Sequence, residues 1–358
     1  MTDLLDILRR QIQLNGPMTV AAYMKLCLAH PEHGYYRKKD PFGPRGDFTT
    51  APEISQMFGE LIGLWAAAVW QSMGEPAPLQ LVELGPGRGT LMADALRAAG
   101  RMVNFIDAAE VHLVETSPLL RQKQEAVLQE YAPTWHDDVT TLSEAPTIFV
   151  ANEFLDALPI RQFQRTREGW HERLVGLDGN ERLQFVLSPP QLANPMVPDS
   201  LKNAAIGAVA EICPAAMNVV RHLAERLVST NGAAIFIDYG HPHSAAGETF
   251  QAVKNHTYHD PLANPGDTDL TAHVDFAILA TAAKATGAMV YGPITQKTFL
   301  ETLGIRERAK VLTAAATEIQ KTDIEAALAR LTDAGAMGRQ FKVLAISGPR
   351  TPPPPGFE

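Results

Sequence analysis

A turn rich in glycine is the feature of this sequence that most clearly suggests chemistry. Residues 81–90 read LVELGPGRGT, so an apolar strand runs through Glu83 and is followed by Gly85, Gly87 and Gly89. Glycine lets a backbone adopt positive φ and approach a ligand closely, and the loop after the first strand of a parallel sheet commonly holds a nucleotide. The spacing is G-x-G-x-G, which differs from the dinucleotide pattern G-x-G-x-x-G. A turn that binds no nucleotide is the alternative.

The carboxylate of Glu83 narrows the choice of ligand. It would repel a pyrophosphate, but it suits a ligand that carries a cation and hydroxyl groups. S-adenosylmethionine (SAM) is such a ligand, so the turn predicts a cofactor for methyl transfer. A carboxylate inside an apolar strand is costly to bury unless it gains partners, which disfavours a purely structural role for Glu83.

Three more side chains follow predicted strands at the same sheet edge, where open α/β sheets bind ligands. Glu115 could accept hydrogen bonds from two ribose hydroxyls, although NAD-binding domains also place an acid there and a helix-capping role stays open. Asp137 would reach the adenine amine or begin a helix. Asn152 would face the methionine portion or the transferred methyl group.

Glu153 and Asp156 suggest the group that accepts the methyl. They are three residues apart, so one helical turn would place them on one side. Such a pair of carboxylates suits an arginine substrate, because the guanidinium stays protonated and carboxylates bind its planar group bidentately. The nitrogen that gains the methyl must lose a proton, and His241 is a candidate to accept it. Ordinary acids of a first helical turn are the alternative. His273 and Asp275 lack the close spacing of a metal site, so we predict no metal.

The loop 46–53 (GDFTTAPE) is a candidate lid over the cofactor. Its Thr50 is predicted to contact the cofactor, whereas Glu53 also suits the first turn of the next helix.

The composition limits the class of protein. The chain has 358 residues, 46% of them hydrophobic, with a net charge of −9 and a pI of about 5.7. This charge argues against nucleic acid as the main partner and suits a basic protein surface. Only two cysteines, Cys27 and Cys213, are present, so we expect a reducing cytoplasm. The sequence has no run of about 18 apolar residues and no secretory signal, so we expect no integral membrane segment.

The order of the predicted elements indicates an α/β fold. A helical segment, residues 1–75, carries the lid loop. From residue 79 strands and helices alternate, which predicts a mostly parallel sheet with helices on both faces. The interpreted units are a methyltransferase domain at 76–350, an antiparallel β-excursion inserted at about 160–200, a second insertion at 239–275 with little periodicity, and a disordered tail at 351–358.

Several blocks together resemble the MidA-like SAM-dependent methyltransferases, a family that includes a mitochondrial assembly factor for respiratory complex I. The blocks are GDFTTAPEISQMFGELIGLW (46–65), LVELGPGRGTLMADALR (81–97), VHLVETSP (111–118), FVANEFLDALPIRQF (149–163), IDYGH (237–241) and DLTAHVDF (269–276). They occur in the expected order, and their combination is far more specific than any one of them.

The resemblance implies a seven-stranded class I (Rossmann-like) methyltransferase sheet, with SAM bound above the glycines. It also implies methylation of arginine in a partner protein, such as a complex I subunit. Residue by residue, Glu83, Gly85, Gly87, Gly89 and Glu115 match the family's cofactor motif, and Asn152, Glu153 and Asp156 match its Asn-Glu-Phe-Leu-Asp block. Taken with the reasoning from the residues themselves, the expected cofactor-binding residues are Glu83, Gly85, Pro86, Gly87, Gly89, Glu115, Thr116, Asp137, Asn152 and Thr50, and the expected catalytic residues are Glu153, Asp156 and His241. Because the N-terminus shows no Arg/Ser-rich transit peptide, we expect a bacterial cytoplasmic member, with a mature form as the alternative.

Two other functions remain open. A non-catalytic assembly chaperone could use SAM only to stabilise its fold, and the acidic charge and long insertions are compatible with this. An NAD-dependent oxidoreductase is the third hypothesis, although the G-x-G-x-G spacing and Glu83 disfavour it.

Overall fold

The computed structural model describes residues 3–38, 49–189, 196–254 and 257–357. Its helices are α1 (Leu4–Asn15), α2 (Val20–Ala29), α3 (Tyr35–Lys38), α4 (Ala51–Ile54), α5 (Gln56–Ser72), α6 (Thr90–Ala99), α7 (Phe105–Ala108), α8 (Pro118–Leu128), α9 (Pro214–Thr230), α10 (Phe276–Lys284), α11 (Gln296–Thr302), α12 (Ile305–Ala314), α13 (Glu318–Thr332) and α14 (Met337–Gln340). Its strands are β1 (Met18–Thr19), β2 (Leu79–Leu84), β3 (Ala109–Val114), β4 (Thr134–His136), β5 (Thr147–Asn152), β6 (Arg161–Arg165), β7 (Trp170–Leu177), β8 (Leu183–Leu187), β9 (Val209–Ile212), β10 (Gly232–His241), β11 (Gln251–Lys254), β12 (Thr257–His259), β13 (Asp269–Thr271), β14 (Val274–Asp275), β15 (Met289–Thr295) and β16 (Phe341–Ser347).

The central sheet has the strand order β15-β16-β10-β5-β2-β3-β4, with β14 joined to the end of β10. The five strands β10, β5, β2, β3 and β4 run parallel to one another. Strand β16 runs antiparallel to both of its neighbours, β10 and β15. Every residue of β2 and of β5 is buried, as expected for parallel strands covered by helices on both faces. The predicted seven-stranded, mostly parallel α/β sheet is confirmed within the described residues.

Two hydrophobic cores hold this sheet. Helices α5 and α6 pack on one face, where Trp65 and Trp70 are buried. Helices α9 and α10 cover the other face around Phe236 and Phe276. Because the strand ends are anchored from both sides, the loops that follow β2, β3, β5 and β10 project from one fixed edge.

The two insertions form smaller sheets. The first contains β6, β7, β8 and β9, which pair antiparallel, and β1 of the N-terminal segment also pairs with β7. The second insertion, which we expected to lack periodicity, instead forms a sheet of order β12-β11-β13. Its strands are three or four residues long, which is too short for an alternating pattern to stand out in the sequence.

The C-terminal tail corrects a second expectation. Residues 351–357 are packed, although their prolines suggested disorder. The indole N–H of Trp65 donates to the carbonyl of Pro355 at 3.2 Å, and the ring of Phe357 contacts that of Phe299 with centroids 5.6 Å apart. Proline fixes the backbone, so a proline-rich segment loses little entropy when it docks.

Candidate functional site

The glycine-rich turn connects β2 to α6. Gly85, Gly87 and Gly89 have φ values of 64°, 54° and 84°, a region that residues with a Cβ rarely adopt. The N–H of Gly85 donates to the carbonyl of Val114 at 3.0 Å, which ties the turn to β3. A Cβ at Gly85 would come within 2.9 Å of the Phe154 ring. The sequence therefore needs glycine here both for φ and for space.

Beside this turn is a small cavity with two unsatisfied polar atoms. Glu83 Oε2 and Asn152 Oδ1 are buried and have no hydrogen-bond partner, and both residues line the cavity. Burial raises the pKa of Glu83 to about 8, and the backbone N–H of Met92 partly offsets the rise. Two buried acceptors without donors indicate a ligand that brings donors. The ammonium and hydroxyl groups of SAM are donors of this kind, so these residues fit the cofactor. Of the other sequence-predicted residues, this cavity is lined by Gly85, Pro86, Gly87, Thr50 and Glu153.

Glu115 lies at the end of β3, next to the turn. Its carboxylate accepts the N–H of Ser117 at 2.7 Å. Burial raises its pKa, while the N–H groups of Ser117 and Thr116 oppose the rise. Buried Gln124 donates to the carbonyl of Gly87 at 2.7 Å and approaches the Glu115 carboxylate at 3.5 Å. Sequence reasoning missed Gln124, because an amide on a helix carries no motif.

Asp137 and Thr116 lie farther out. The side chain of Asp137 is exposed and pairs with Arg121 at 2.6 Å, and Thr116 is exposed. A role for either residue in cofactor binding stays a prediction.

Glu153 follows β5 directly and has an unusual backbone. Its φ is 50°, a left-handed conformation that is strained for a residue with a side chain and is found mainly at functional sites. The carboxylate accepts the N–H of Ala51 at 2.8 Å and the amide of Asn152 at 3.1 Å. Burial raises the pKa of Glu153 to about 7, and the charge of Asp156 contributes to the rise. The two hydrogen-bond donors act in the opposite direction, because they favour the ionised carboxylate.

Asp156 and Asp238 complete a buried group of carboxylates with Glu153. Asp156 accepts the hydroxyl of Tyr239 at 2.6 Å, and burial raises its pKa to about 6. Asp238, at the end of β10, accepts the N–H groups of Leu155, Asp156 and Tyr239 at 2.9, 3.2 and 2.9 Å. Burial and the neighbouring Asp156 and Glu153 raise the pKa of Asp238 well above its usual value. Asp238 thus fastens the turn 153–156 to the neighbouring strand.

A larger cleft of about 500 Å³ adjoins the smaller cavity. Glu153 and Thr50 line both of them, so these two residues lie where the cavity and the cleft meet. The residues of the large cleft that sequence reasoning did not assign to the site are Tyr36, Thr49, Tyr239, Gly240, Gln251, Val253, Tyr258, Asp269, Thr271, His273, Arg330, Met337, Gln340 and Phe341. Most of them come from short strands or from the last third of the chain, where no motif signalled a site.

His241 does not join these residues. Its imidazole lies 3.7 Å from the carboxylate of Asp275, and it lines neither cavity. His273, whose ring contacts that of Tyr239 edge-on at 5.4 Å, is the histidine that the structure places in the cleft. The structure therefore does not bring His241 into the cleft with Glu153 and Asp156, and its role as proton acceptor stays a prediction.

The predicted lid loop is described only in part. Gly46, Asp47 and Phe48 lie outside the described residues. Thr50 is in the site, and the Glu53 carboxylate accepts the hydroxyl of Thr90 at 2.6 Å in the first turn of α6. No group of histidine, cysteine, aspartate and glutamate suited to a metal ion was found in the described ranges. Nor does any helix described here have the length and apolarity to cross a bilayer.

The sheet order, the glycine turn after its first central strand and the acids at the neighbouring strand ends define a class I SAM-dependent methyltransferase fold. The model of a family described as S-adenosyl-L-methionine-dependent methyltransferases matches residues 61–294, and the chain belongs to this family. SAM is therefore its cofactor.

Known proteins resemble the chain over most of its length. The mitochondrial protein arginine methyltransferase NDUFAF7 of Xenopus tropicalis is 39% identical over 96% of this chain and 85% of its own length. The human protein of the same name is 39% identical over 87% of this chain and 75% of its own. A crystal structure of a COG1565 superfamily member from Burkholderia thailandensis, bound to S-adenosyl-homocysteine, has a TM-score of 0.86 at 28% identity and covers 99% of this chain and 93% of that one.

The localisation expected from the sequence is wrong by this comparison. We expected a bacterial cytoplasmic protein, but the curated relatives are named as mitochondrial. Two unpaired cysteines and an unremarkable N-terminus are weak grounds for choosing a compartment, because mitochondrial enzymes share both features.

Proposed function

We propose that this methyltransferase modifies an arginine side chain of a protein, with Glu153 and Asp156 holding the guanidinium. The observation that carries the proposal is the position of Glu153, which lines both the cofactor cavity and the large cleft. A group bound to this carboxylate from the cleft would lie next to the cofactor. The names of the curated relatives, which are protein arginine methyltransferases, agree with this acceptor.

The charges of the cleft favour a cationic acceptor. Glu153, Asp156 and Asp269 line it, and among the described residues Arg330 is the one lysine or arginine that does so. A guanidinium offers five N–H donors in a planar fork and keeps its charge when buried. Two carboxylates could bind it from two sides and fix the nitrogen that attacks, and such alignment contributes much of a rate enhancement.

The proton released on methylation requires a base. When bound, SAM supplies a methyl group on a sulfonium, which makes that methyl electrophilic. The acceptor nitrogen must lose a proton as it gains the methyl, and Glu153 is suited to take it because its pKa is about 7. Asp156, with the hydroxyl of Tyr239 bonded to it, stays ionised more readily and holds the remaining charge. Activity should therefore rise with pH as Glu153 ionises.

The test uses extract from cells that lack the gene, purified protein and methyl-labelled SAM, with mass spectrometry to locate the label. We expect label on an arginine, and the complex I subunit implied by the family resemblance is the first candidate acceptor. Glu153→Gln should lower the rate by roughly 100-fold or more while the affinity for S-adenosyl-homocysteine changes little. Glu125→Gln, at an exposed position on α8, is the matched control.

Several outcomes would contradict the proposal. Label on another residue type would exclude the arginine acceptor. An active Glu153→Gln enzyme would remove the role of the carboxylate, and a large loss of S-adenosyl-homocysteine affinity would make Glu153 a cofactor residue instead. A protein that binds the cofactor but labels nothing would favour the assembly chaperone.

A further inference from the structure

The sheet of β11, β12 and β13 gives one complete face to the large cleft. Gln251 and Val253 of β11 and Asp269 and Thr271 of β13 line the cleft, and they are direct partners across the strands. Tyr258 of β12 is paired with Val253, and residues directly opposite in an antiparallel pair share a face. This face, Gln251, Val253, Tyr258, Asp269 and Thr271, is called the platform below.

The opposite face of the same sheet is anchored in the protein. Ala252, Leu270 and Ala272 alternate with the platform residues and are buried in a core with Val20 and Tyr23 of α2. Side chains of a strand point alternately to its two faces. Burial of this face of β11 and β13 therefore directs their platform residues toward the cleft, and Tyr258 extends the same face on the exposed strand β12.

Asp269 and Tyr258 give the platform its chemical character. The Asp269 carboxylate accepts a hydrogen bond from the hydroxyl of Tyr36 at 3.0 Å. Asp269 lines the same cleft as Glu153 and adds a second acidic group to it. Tyr258 is 75% exposed, so its ring is available at the outer end of the platform. An exposed aromatic ring on the same sheet face as a carboxylate suits a basic side chain, because the ring face and the negative charge both attract it.

The cleft that contains Glu153 and Asp156 also contains the platform residues, so an arginine bound by the two carboxylates leaves the platform to neighbouring residues of the acceptor. The volume of the cleft is about 500 Å³, within the ~300–1,000 Å³ typical of ligand pockets. Peptides commonly bind along sheets, where pockets for alternate side chains provide specificity. A polypeptide segment with more than one basic residue matches the sheet face and the acidic lining of the cleft.

We propose that the platform binds an extended basic segment of the acceptor protein, with Tyr258 contacting a basic residue that flanks the methylated arginine. This inference rests on the proposed arginine acceptor, and it adds the requirement that the arginine lie in a segment that can become extended.

The test measures binding and does not depend on turnover. A fluorescent peptide with one central arginine flanked by lysines is titrated with protein saturated with S-adenosyl-homocysteine, and anisotropy is recorded. We expect Tyr258→Ala to weaken binding by roughly two- to fivefold. Tyr258→Phe, which keeps the ring, should bind like the wild type. Ile319→Ala on α13, where the side chain is 77% exposed, is the matched control and should change nothing.

A second peptide, with alanines in place of the lysines, identifies the contact. It should bind the wild type more weakly, and Tyr258→Ala should cause no further loss, as expected if the ring and the lysine interact. Equal losses for both peptides would overturn the basic contact, and unchanged binding by Tyr258→Ala would overturn the platform. Absence of saturable binding to the wild type would overturn it too. If the arginine assignment alone fails, label appears on another residue while the lysine-dependent binding persists.

Discussion

The ionisation of Glu83 should control how cofactor affinity depends on pH. With a pKa of about 8, Glu83 is mostly protonated at neutral pH in the free protein. A bound ammonium group favours the ionised carboxylate, so binding must release a proton. The ionised fraction grows from about 1% at about pH 6 to about 24% at about pH 7.5, so affinity should increase by roughly 20-fold over this range. In Glu83→Gln the increase should be absent.

Isothermal titration with S-adenosyl-homocysteine measures this directly, because the amino group of that ligand stays a cation over the range. Runs in two buffers of different ionisation enthalpy give the number of protons released, which should approach one near pH 6.5 for the wild type and zero for Glu83→Gln. Glu153 also lines this cavity and has a raised pKa, so Glu153→Gln serves as a control. This variant should keep the pH dependence that Glu83 causes. A wild-type dissociation constant that does not change with pH would refute the reasoning.

The same shift predicts a stability effect of the opposite sign. The pKa of Glu83 in the folded state is raised, so the folded protein holds the proton more tightly than the unfolded chain. Its favourable contribution is therefore present below about pH 4.5 and is lost as pH rises toward 8. The loss amounts to about 4–5 kcal/mol at 1.36 kcal/mol per unit. Glu83→Gln should flatten the dependence of unfolding free energy on pH over this interval.

Three other changes test the framework of the site. Gly85→Ala places a Cβ at a φ of 64° and against the Phe154 ring. This strain of about 1–2 kcal/mol should lower the affinity for S-adenosyl-homocysteine about tenfold or more. The control is Gly179→Ala, where a Cβ meets nothing within 4 Å, and it should bind normally in the same titration. Asp238→Ala leaves three backbone N–H groups without an acceptor and should lower the free energy of unfolding, measured in urea, by roughly 3 kcal/mol. Asp238→Asn keeps an acceptor and should lower it less. Equal losses of unfolding free energy would show that the acceptor is unimportant. Truncation after Arg350 removes the packed tail and should lower the melting temperature by several degrees, while an unchanged melting temperature would support the disorder first expected.

The sequence predicted the fold well where burial leaves a simple pattern. Continuous apolar runs identified β2 and β5 because those strands are covered on both faces. Glu83 and Asn152 could then be assigned to one edge, since parallel strands end together. The sequence also singled out Glu153, although its left-handed backbone depends on the strand beside it: the N–H of Glu153 donates to the carbonyl of Ile237 at 2.9 Å.

The acceptor side of the site was much less predictable. Tyr36, Arg330 and Phe341 reach the cleft from segments far apart in the chain. The spacing of residues within one segment does not show which distant segments pack against it. The platform strands are too short to reveal that Gln251 and Val253 face one way and Ala252 the other. The cofactor cavity is built mostly from turns next to strands, which have sequence signatures, whereas the acceptor cleft is built from tertiary packing, which has none.

The buried carboxylates explain why such a cleft should select a cation. Glu153, Asp156 and Asp238 lie close enough to raise one another's pKa, so the group is costly to ionise while it lacks a counter-charge. A guanidinium entering between Glu153 and Asp156 would relieve that cost, and the carboxylates would lose protons as it binds. A neutral side chain of the same size would leave the cost in place. Asp238 lines neither cavity, and three backbone N–H groups hold its side chain in place behind the turn, so the selection of a cation falls to Glu153 and Asp156, which line the cleft.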